Sequence, residues 1–150
     1  MLLMEKDKIN LPIIILAFIV LILQMSVTTT TVIKRYNAPL SYNIVSIVII
    51  LIFRLIFAYV TKIIADRRNR DPNIALLFGI TLGLIGLIVY TIANFIIQPK
   101  KKVKTLNLGL YLLILFGLSI PGFFITMVVS AIISSVVVRV LGILAERTLI

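Results

Sequence analysis

The stretch "LPIIILAFIVLIL", residues 11–23, runs for thirteen residues without a charged or strongly polar side chain. Similar runs recur along the chain, in which 61% of residues are hydrophobic and 13% are charged. A soluble domain has about 25% charged residues, because it must cover its surface. Transmembrane barrels alternate apolar and polar residues, whereas these runs are continuous. The sequence therefore predicts an all-α fold, a polytopic helical membrane bundle.

Short charged connections divide the chain into about four predicted transmembrane spans. The connections read "KRYNAPL", "ADRRNRDPN" and "QPKKKVKT", and all three are basic. A helix needs about 20 apolar residues to cross the hydrocarbon layer, and each run between the connections is long enough. We therefore expect one integral membrane domain over residues 1–150. The predicted spans are residues 11–33, 41–64, 74–97 and 106–128, and the predicted C-terminal helix covers residues 129–146.

The last apolar stretch, residues 106–144, contains only one charged residue and is too long for a simple span. In its middle, Pro121 lacks a backbone N–H and Gly122 is conformationally permissive, a pair that often marks a turn or kink. We favour a fourth span that is broken or kinked at Pro121-Gly122 and continues as the C-terminal helix. In the alternative interpretation, the chain reverses there and has five spans.

The distribution of basic residues gives a weak preference for orientation. Four spans place both termini and the "DRRNRD" loop on one side of the membrane. That side has eight Lys and Arg residues against six on the other, with Arg54 omitted because it lies within a span. Since Lys and Arg are enriched in cytoplasmic loops, we expect cytoplasmic termini. A reversal at Pro121 would invert this count.

Several kinds of chemistry are excluded because the chain has no cysteine and no histidine. Disulfides, thiol nucleophiles, the usual zinc ligands and imidazole acid–base catalysis all need these residues. The sequence has no nucleotide-binding glycine loop, zinc-protease motif or nucleophile elbow. None of its five acids lies deep in an apolar run, where a proton relay would need one. We expect a noncatalytic protein with no metal site and no cofactor.

The segment "LIFRLIF", residues 51–57, places Arg54 near the middle of the second span. A cation at that depth costs about 3 kcal/mol or more, which favours a partner. The first candidate is Gln24, at similar depth on the antiparallel first span, because its amide oxygen can accept a hydrogen bond. We expect a carboxylate or anionic lipid from outside the chain to complete this contact. Alternatively, Arg54 extends to the headgroups, or it binds an anionic ligand.

Small residues form two stripes that favour close helix packing. Gly79 and Gly83 make a GxxxG motif, with Gly86 close to the same face, and Thr126, Ser130 and Ser134 recur every four residues. Small side chains let helix backbones approach one another in membranes. We expect these stripes to pack within the bundle, with contact to another protein chain as the alternative.

Two basic clusters adjoin the predicted spans. They comprise Arg67, Arg68 and Arg70 in one connection, and Lys100, Lys101, Lys102 and Lys104 in the next. Basic residues next to a span attract anionic lipid headgroups. They can also contact nucleic acid phosphates, but we favour lipid because the clusters emerge directly from the spans.

Three functional classes are consistent with these features. We favour a noncatalytic structural or assembly subunit of a larger membrane complex, which contacts other membrane subunits or associates with itself. The second class is a small oligomeric transporter or channel for an anion or amphiphile, with Arg54 and Gln24 lining the path. The third is a structural protein of a virion or membrane coat, whose basic loops face nucleic acid.

Overall fold

The computed structural model describes residues 9–68, 70–97 and 106–149, and within these ranges every regular element is a helix. Three of the helices are long and apolar enough to cross a membrane, and two are shorter and apolar. The prediction of an all-helical membrane bundle is confirmed. The helices are α1 (Leu11–Arg35), α2 (Leu40–Arg67), α3 (Pro72–Leu82), α4 (Leu84–Ile96) and α5 (Leu108–Thr148).

The first two helices, α1 and α2, are antiparallel neighbours joined by a tight turn. Asn37 in this turn has a φ angle of 49°, a left-handed conformation that asparagine tolerates better than most residues. Across the two helices, Asn43 Nδ2 donates a hydrogen bond to Thr30 Oγ1 at 3.0 Å. These two helices reproduce the first two predicted spans to within a few residues.

The predicted third span, 74–97, is two short helices instead of one. They meet at Gly83, whose φ of 60° and ψ of −129° is a conformation that essentially only glycine adopts. The rings of Phe78 and Tyr90 lie 5.7 Å apart, and Arg70 Nη2 donates to the Ile97 carbonyl across the open end. The segment is therefore a helical hairpin, and the prediction that it crosses once was wrong. The apolar run 74–97 is long enough for either one crossing helix or two half-length arms, so its length does not distinguish the two.

The α3–α4 hairpin packs with α3 inward and α4 outward. Eight of the eleven residues of α3 are buried, against three of the thirteen in α4. At about 1.5 Å per residue the arms measure roughly 16 and 20 Å, which is about half of the hydrocarbon thickness. Gly83 at the tip therefore lies at the depth of the middle of α2.

The start of the hairpin lies beside the starts of α1 and α5. The Asn10 backbone N–H donates to Asn73 Oδ1 at 2.6 Å, and the Tyr111 hydroxyl donates to the Asp71 carboxylate. We call this the hairpin end of the bundle. The opposite end, which holds the α1–α2 turn, is the turn end. Since α1 and α5 start together at the hairpin end, they run parallel.

The prediction was a fourth span broken or kinked at Pro121–Gly122. Helix α5 is continuous through Pro121, so a break is absent, while a kink within the continuous helix stays a prediction. A proline inside a helix removes one backbone hydrogen bond, a loss that packed membrane helices tolerate. The predicted C-terminal helix, 129–146, is the second half of α5, and the chain does not reverse to give five spans. With three helices that are long and apolar enough to cross a membrane, the start of α1 and the end of α5 lie at opposite ends of the bundle. This corrects the expectation that both termini share one side.

Candidate functional site

Arg54 lies inside the protein, with only 3% of its surface exposed. Its Nη1 donates a hydrogen bond to the Thr81 carbonyl oxygen at 2.9 Å, and its Nη2 donates to Thr126 Oγ1 at 3.1 Å. The guanidinium of α2 thus joins the end of α3 to the middle of α5. We call Arg54, Thr81, Gly83 and Thr126 the arginine site.

The acceptor in this site is the free end of a helix. The last carbonyl groups of an α-helix have no partner within the helix, and Thr81 is one residue from the end of α3. These groups carry the negative end of the helix dipole, equivalent to about half an elementary charge. The break in the hairpin therefore places partial negative charge against Arg54 at a depth where the described part of the chain has no carboxylate.

Two glycines leave the space that the arginine site requires. A Cβ atom on Gly83 would lie 2.7 Å from Arg54 Nη1, and a Cβ atom on Gly122 would lie 2.9 Å from the Thr81 carbonyl oxygen. Both distances are shorter than normal nonbonded contacts. Gly83 thus lets the guanidinium approach the tip of the hairpin, and Gly122 lets α5 approach the end of α3.

The predicted contact between Arg54 and Gln24 was wrong. Gln24 Nε2 donates to the Ser119 carbonyl oxygen at 3.2 Å, so it joins α1 to α5. The two residues have similar depth, but α3 supplies the acceptor for Arg54 instead. Sequence reasoning searched for a side-chain acceptor and therefore missed Thr81, which binds through its backbone.

Gly79 and Gly86, the other glycines of the first stripe, pack within the chain against different elements. A Cβ atom on Gly79 would collide with the backbone of Ala58 in α2. A Cβ atom on Gly86 would collide with the Phe78 carbonyl group, because α4 folds back onto α3. The three glycines of this stripe therefore have different roles. Gly79 packs against α2, Gly83 forms the tip of the hairpin, and Gly86 lies on the inside of the hairpin.

The second stripe, on α5, faces the interior of the chain. Thr126, Ser130 and Ser134 have no exposed surface. Thr126 accepts from Arg54, and the Thr28 hydroxyl donates to Ser130 Oγ at 2.9 Å. The Ser134 hydroxyl is buried without a hydrogen-bond partner among the described residues. The stripe thus provides polar contacts from α5 to α1 and α2.

A second polar cluster closes the hairpin end, and sequence reasoning did not identify it. Asp71 and Tyr111 are 3% and 1% exposed. Asp71 caps α3 by accepting from the Asn73 backbone N–H at 2.9 Å. The Tyr111 hydroxyl donates to Asp71 and accepts from the Leu106 backbone N–H at 3.1 Å. Asp71 directly before Pro72 is a recognisable signal for the start of a helix. Its contact with Tyr111 joins residues 40 apart and therefore has no local sequence pattern that could predict it.

The basic cluster of the second connection lies at the hairpin end. The Arg68 guanidinium lies 4.8 Å from the centre of the Phe95 ring, and Arg70 donates to the Ile97 carbonyl. Arg67 is exposed. The other predicted lipid contacts, Lys100, Lys101, Lys102 and Lys104, lie outside the described residues. Within the described ranges, no group of three acidic side chains could hold a metal ion.

Comparisons with protein-family models, with curated proteins and with solved structures found no match to this chain.

Proposed function

We propose that this chain is a noncatalytic structural or assembly subunit of a larger membrane complex. The observation that carries the proposal is the second half of α5. The Tyr36 hydroxyl and Ser135 Oγ lie 3.3 Å apart, at the turn end where α1 stops. Helix α5 continues beyond this level, and at about 1.5 Å per residue the segment 136–149 adds roughly 20 Å. We call residues 136–149 the α5 extension.

The α5 extension is mostly apolar as far as Leu144, with Arg139 as its one charged residue over that range, and is largely uncovered by its own chain. Val137 is its only buried residue, and Val140, Ile143 and Leu144 are 50%, 54% and 53% exposed. The turn beside it carries Lys34 and Arg35, which mark the polar boundary of the membrane at this end. Contiguous apolar surface outside the hydrocarbon layer indicates an interaction site. A helix of a partner membrane subunit is the occupant that we propose.

The arginine site is closed and does not itself require a partner chain. The charge of Arg54 is matched by the end of α3 and by Thr126, so the carboxylate expected from another chain is not needed there. The interior of the bundle is therefore occupied by internal contacts, and its surface is left for binding. Partner recognition is assigned to the α5 extension and not to Arg54.

Purification of the full chain in mild detergent tests this function. We expect partner chains to co-purify with the natural sequence and to be lost from the I143A/L144A variant. The matched control is V48A/I52A, which truncates two side chains on α2 with similar exposures of 48% and 51%. The proposal fails if the natural chain purifies as an isolated monomer, or if both variants lose partners equally.

A second candidate, an oligomeric transporter or channel for an anion or amphiphile, is favoured by the helix break at Arg54. Broken helices that end near the bilayer midplane form the binding sites of many transporters. In this case Arg54→Leu should abolish anion uptake into proteoliposomes, while I143A/L144A should leave uptake unchanged. Uptake that survives Arg54→Leu would exclude this role.

The three-helix topology supports an orientation as well. The sequence segments that adjoin the hairpin end contain ten Lys and Arg residues, and those at the turn end contain four. Lys and Arg are enriched on the cytoplasmic side. We therefore place the hairpin end and the N-terminus in the cytoplasm and the α5 extension on the opposite side. The segments that adjoin the hairpin end in sequence contribute Lys6, Lys8, Lys62, Arg67, Arg68, Arg70, Lys100, Lys101, Lys102 and Lys104, and those that adjoin the turn end contribute Lys34, Arg35, Arg139 and Arg147.

A further inference from the structure

Asn94, near the end of α4, separates two cavities at the hairpin end. One measures about 210 Å³ and is lined by Arg70 and Tyr90 among others. The other measures about 250 Å³ and is lined by Arg67, Arg68 and Phe95 among others. Three arginines and one amide therefore surround the space between the end of α2 and the end of α4.

The arginines that line this space outnumber the carboxylates among the described residues. Asp66 pairs with Lys62 at 2.8 Å, which is the only salt bridge within the described ranges. Asp71 accepts hydrogen bonds from Tyr111 and from Asn73. Neither acid of the "DRRNRD" loop forms a salt bridge with Arg67, Arg68 or Arg70 within the described ranges. Asp71 lines the cavity beside Arg70, so three arginines face one carboxylate in this space.

Several donors in this space also lack acceptors. Arg70 Nε and Asn94 Nδ2 are buried without a hydrogen-bond partner among the described residues. Arg67 is exposed and makes no hydrogen bond or ion pair in the described part of the chain. A phosphate group carries several acceptor oxygens and a negative charge, which match this set of donors.

An apolar track leads from these donors towards the middle of the membrane. Phe95, Ile92 and Ile88 are 64%, 53% and 49% exposed and recur at helical spacing on one face of α4. From Phe95 to Leu84 at the tip of the hairpin, the track is about 16 Å long. That length is roughly one half of the hydrocarbon layer, the depth of a single leaflet.

We infer that this region binds one anionic phospholipid. Its phosphate lies among Arg67, Arg68, Arg70 and Asn94, and one acyl chain lies along Ile92 and Ile88. We call this the headgroup site. The combination of unpaired donors with an adjoining acyl track selects a lipid of the surrounding leaflet, because free phosphate would use only the donors.

Native mass spectrometry of the delipidated full chain tests this inference. The protein is offered equal amounts of phosphatidylglycerol and phosphatidylcholine, and we expect it to retain one phosphatidylglycerol preferentially. Arg67→Gln should lower this preference about five-fold, the effect of one basic residue near a membrane surface. Because Arg67 has no partner in the described chain, this variant should fold normally.

The control variant K34Q/R35Q removes two basic residues from the turn end and should keep the preference. The inference is overturned if the natural chain shows no preference, or if the control loses as much as Arg67→Gln. It is also overturned if inorganic phosphate at the same concentration displaces the lipid, because the site would then recognise an anion without its acyl chain.

Discussion

Arg54 Nη1 lies 2.9 Å from the carbonyl oxygen of Thr81, two residues before Gly83, where the first arm of the hairpin ends. A cation near the bilayer centre is thereby matched by the negative end of a helix that stops at the same depth. The hydrogen bond joins the hairpin to α2, and the contact with Thr126 extends this connection to α5.

Arg54→Leu should destabilise the folded protein, because it leaves the Thr81 carbonyl buried without a donor. We expect a loss of about 1–3 kcal/mol in the free energy of unfolding, measured by denaturation in detergent. Arg54→Lys should restore part of this loss, since an ammonium group retains the charge without the planar fork. An Arg54→Leu protein as stable as the natural chain would contradict the assigned role of the hydrogen bond.

Gly83→Ala should be more damaging than its size suggests. The backbone conformation at Gly83 disfavours any Cβ atom, and the added carbon would also lie 2.7 Å from Arg54 Nη1. We expect a loss of about 1–3 kcal/mol or more in the free energy of unfolding. Gly117→Ala is the matched control, because a Cβ atom there has no neighbour within 4 Å. Equal stability of the two variants would refute the proposed constraint.

Tyr111→Phe should weaken the hairpin end. Loss of the hydroxyl removes a hydrogen bond to the buried Asp71 carboxylate and leaves the Leu106 N–H unpaired. We expect about 1–3 kcal/mol lower stability, measured by thermal or chemical unfolding. Tyr59→Phe provides the control, since Tyr59 is 64% exposed and makes no described hydrogen bond. If both substitutions have the same effect, the buried cluster does not stabilise the bundle.

Single cysteines can test the topology because the natural chain contains none. In the observed fold, Asn37→Cys and Ala145→Cys should react with a membrane-impermeant maleimide from the same side. Arg67→Cys should react from the opposite side. If residues 74–97 formed a single crossing helix, positions 145 and 67 would lie on the same side of the membrane. Labelling of positions 145 and 67 from one side would therefore rule out the hairpin.

The helices themselves could be predicted because continuous apolar runs with charged ends suffice to define them. The positions of the breaks could not be predicted in the same way. Pro121 is a conspicuous helix breaker, yet α5 continues through it, because losing one hydrogen bond costs less than disrupting a packed helix. Gly83 is inconspicuous among several glycines, yet it reverses the chain. Its effect depends on the contacts of α3 and α4, which are not encoded by local spacing.

The arginine site could be predicted only in part. The position of Arg54 in an apolar run indicated that a polar partner was needed. Its acceptor is a backbone carbonyl, however, and every residue has one, so the identity of Thr81 leaves no signature in the sequence. Gln24 was the best acceptor among side chains at a similar depth, but similar depth does not ensure that two side chains face each other. The contact between Asp71 and Tyr111, 40 residues apart, was hidden for the same reason.

The half-depth hairpin gives the molecule a different width in each leaflet. Among the described residues, a section through the hairpin end cuts five helices, whereas a section through the turn end cuts α1, α2 and α5. With helix diameters of about 10 Å, the two additional sections widen one side considerably. A protein of this wedge shape fits best where the leaflet at the wide end is expanded, on the convex face of a bent bilayer. We therefore expect the chain to concentrate in highly curved membranes and to promote such curvature where many copies gather.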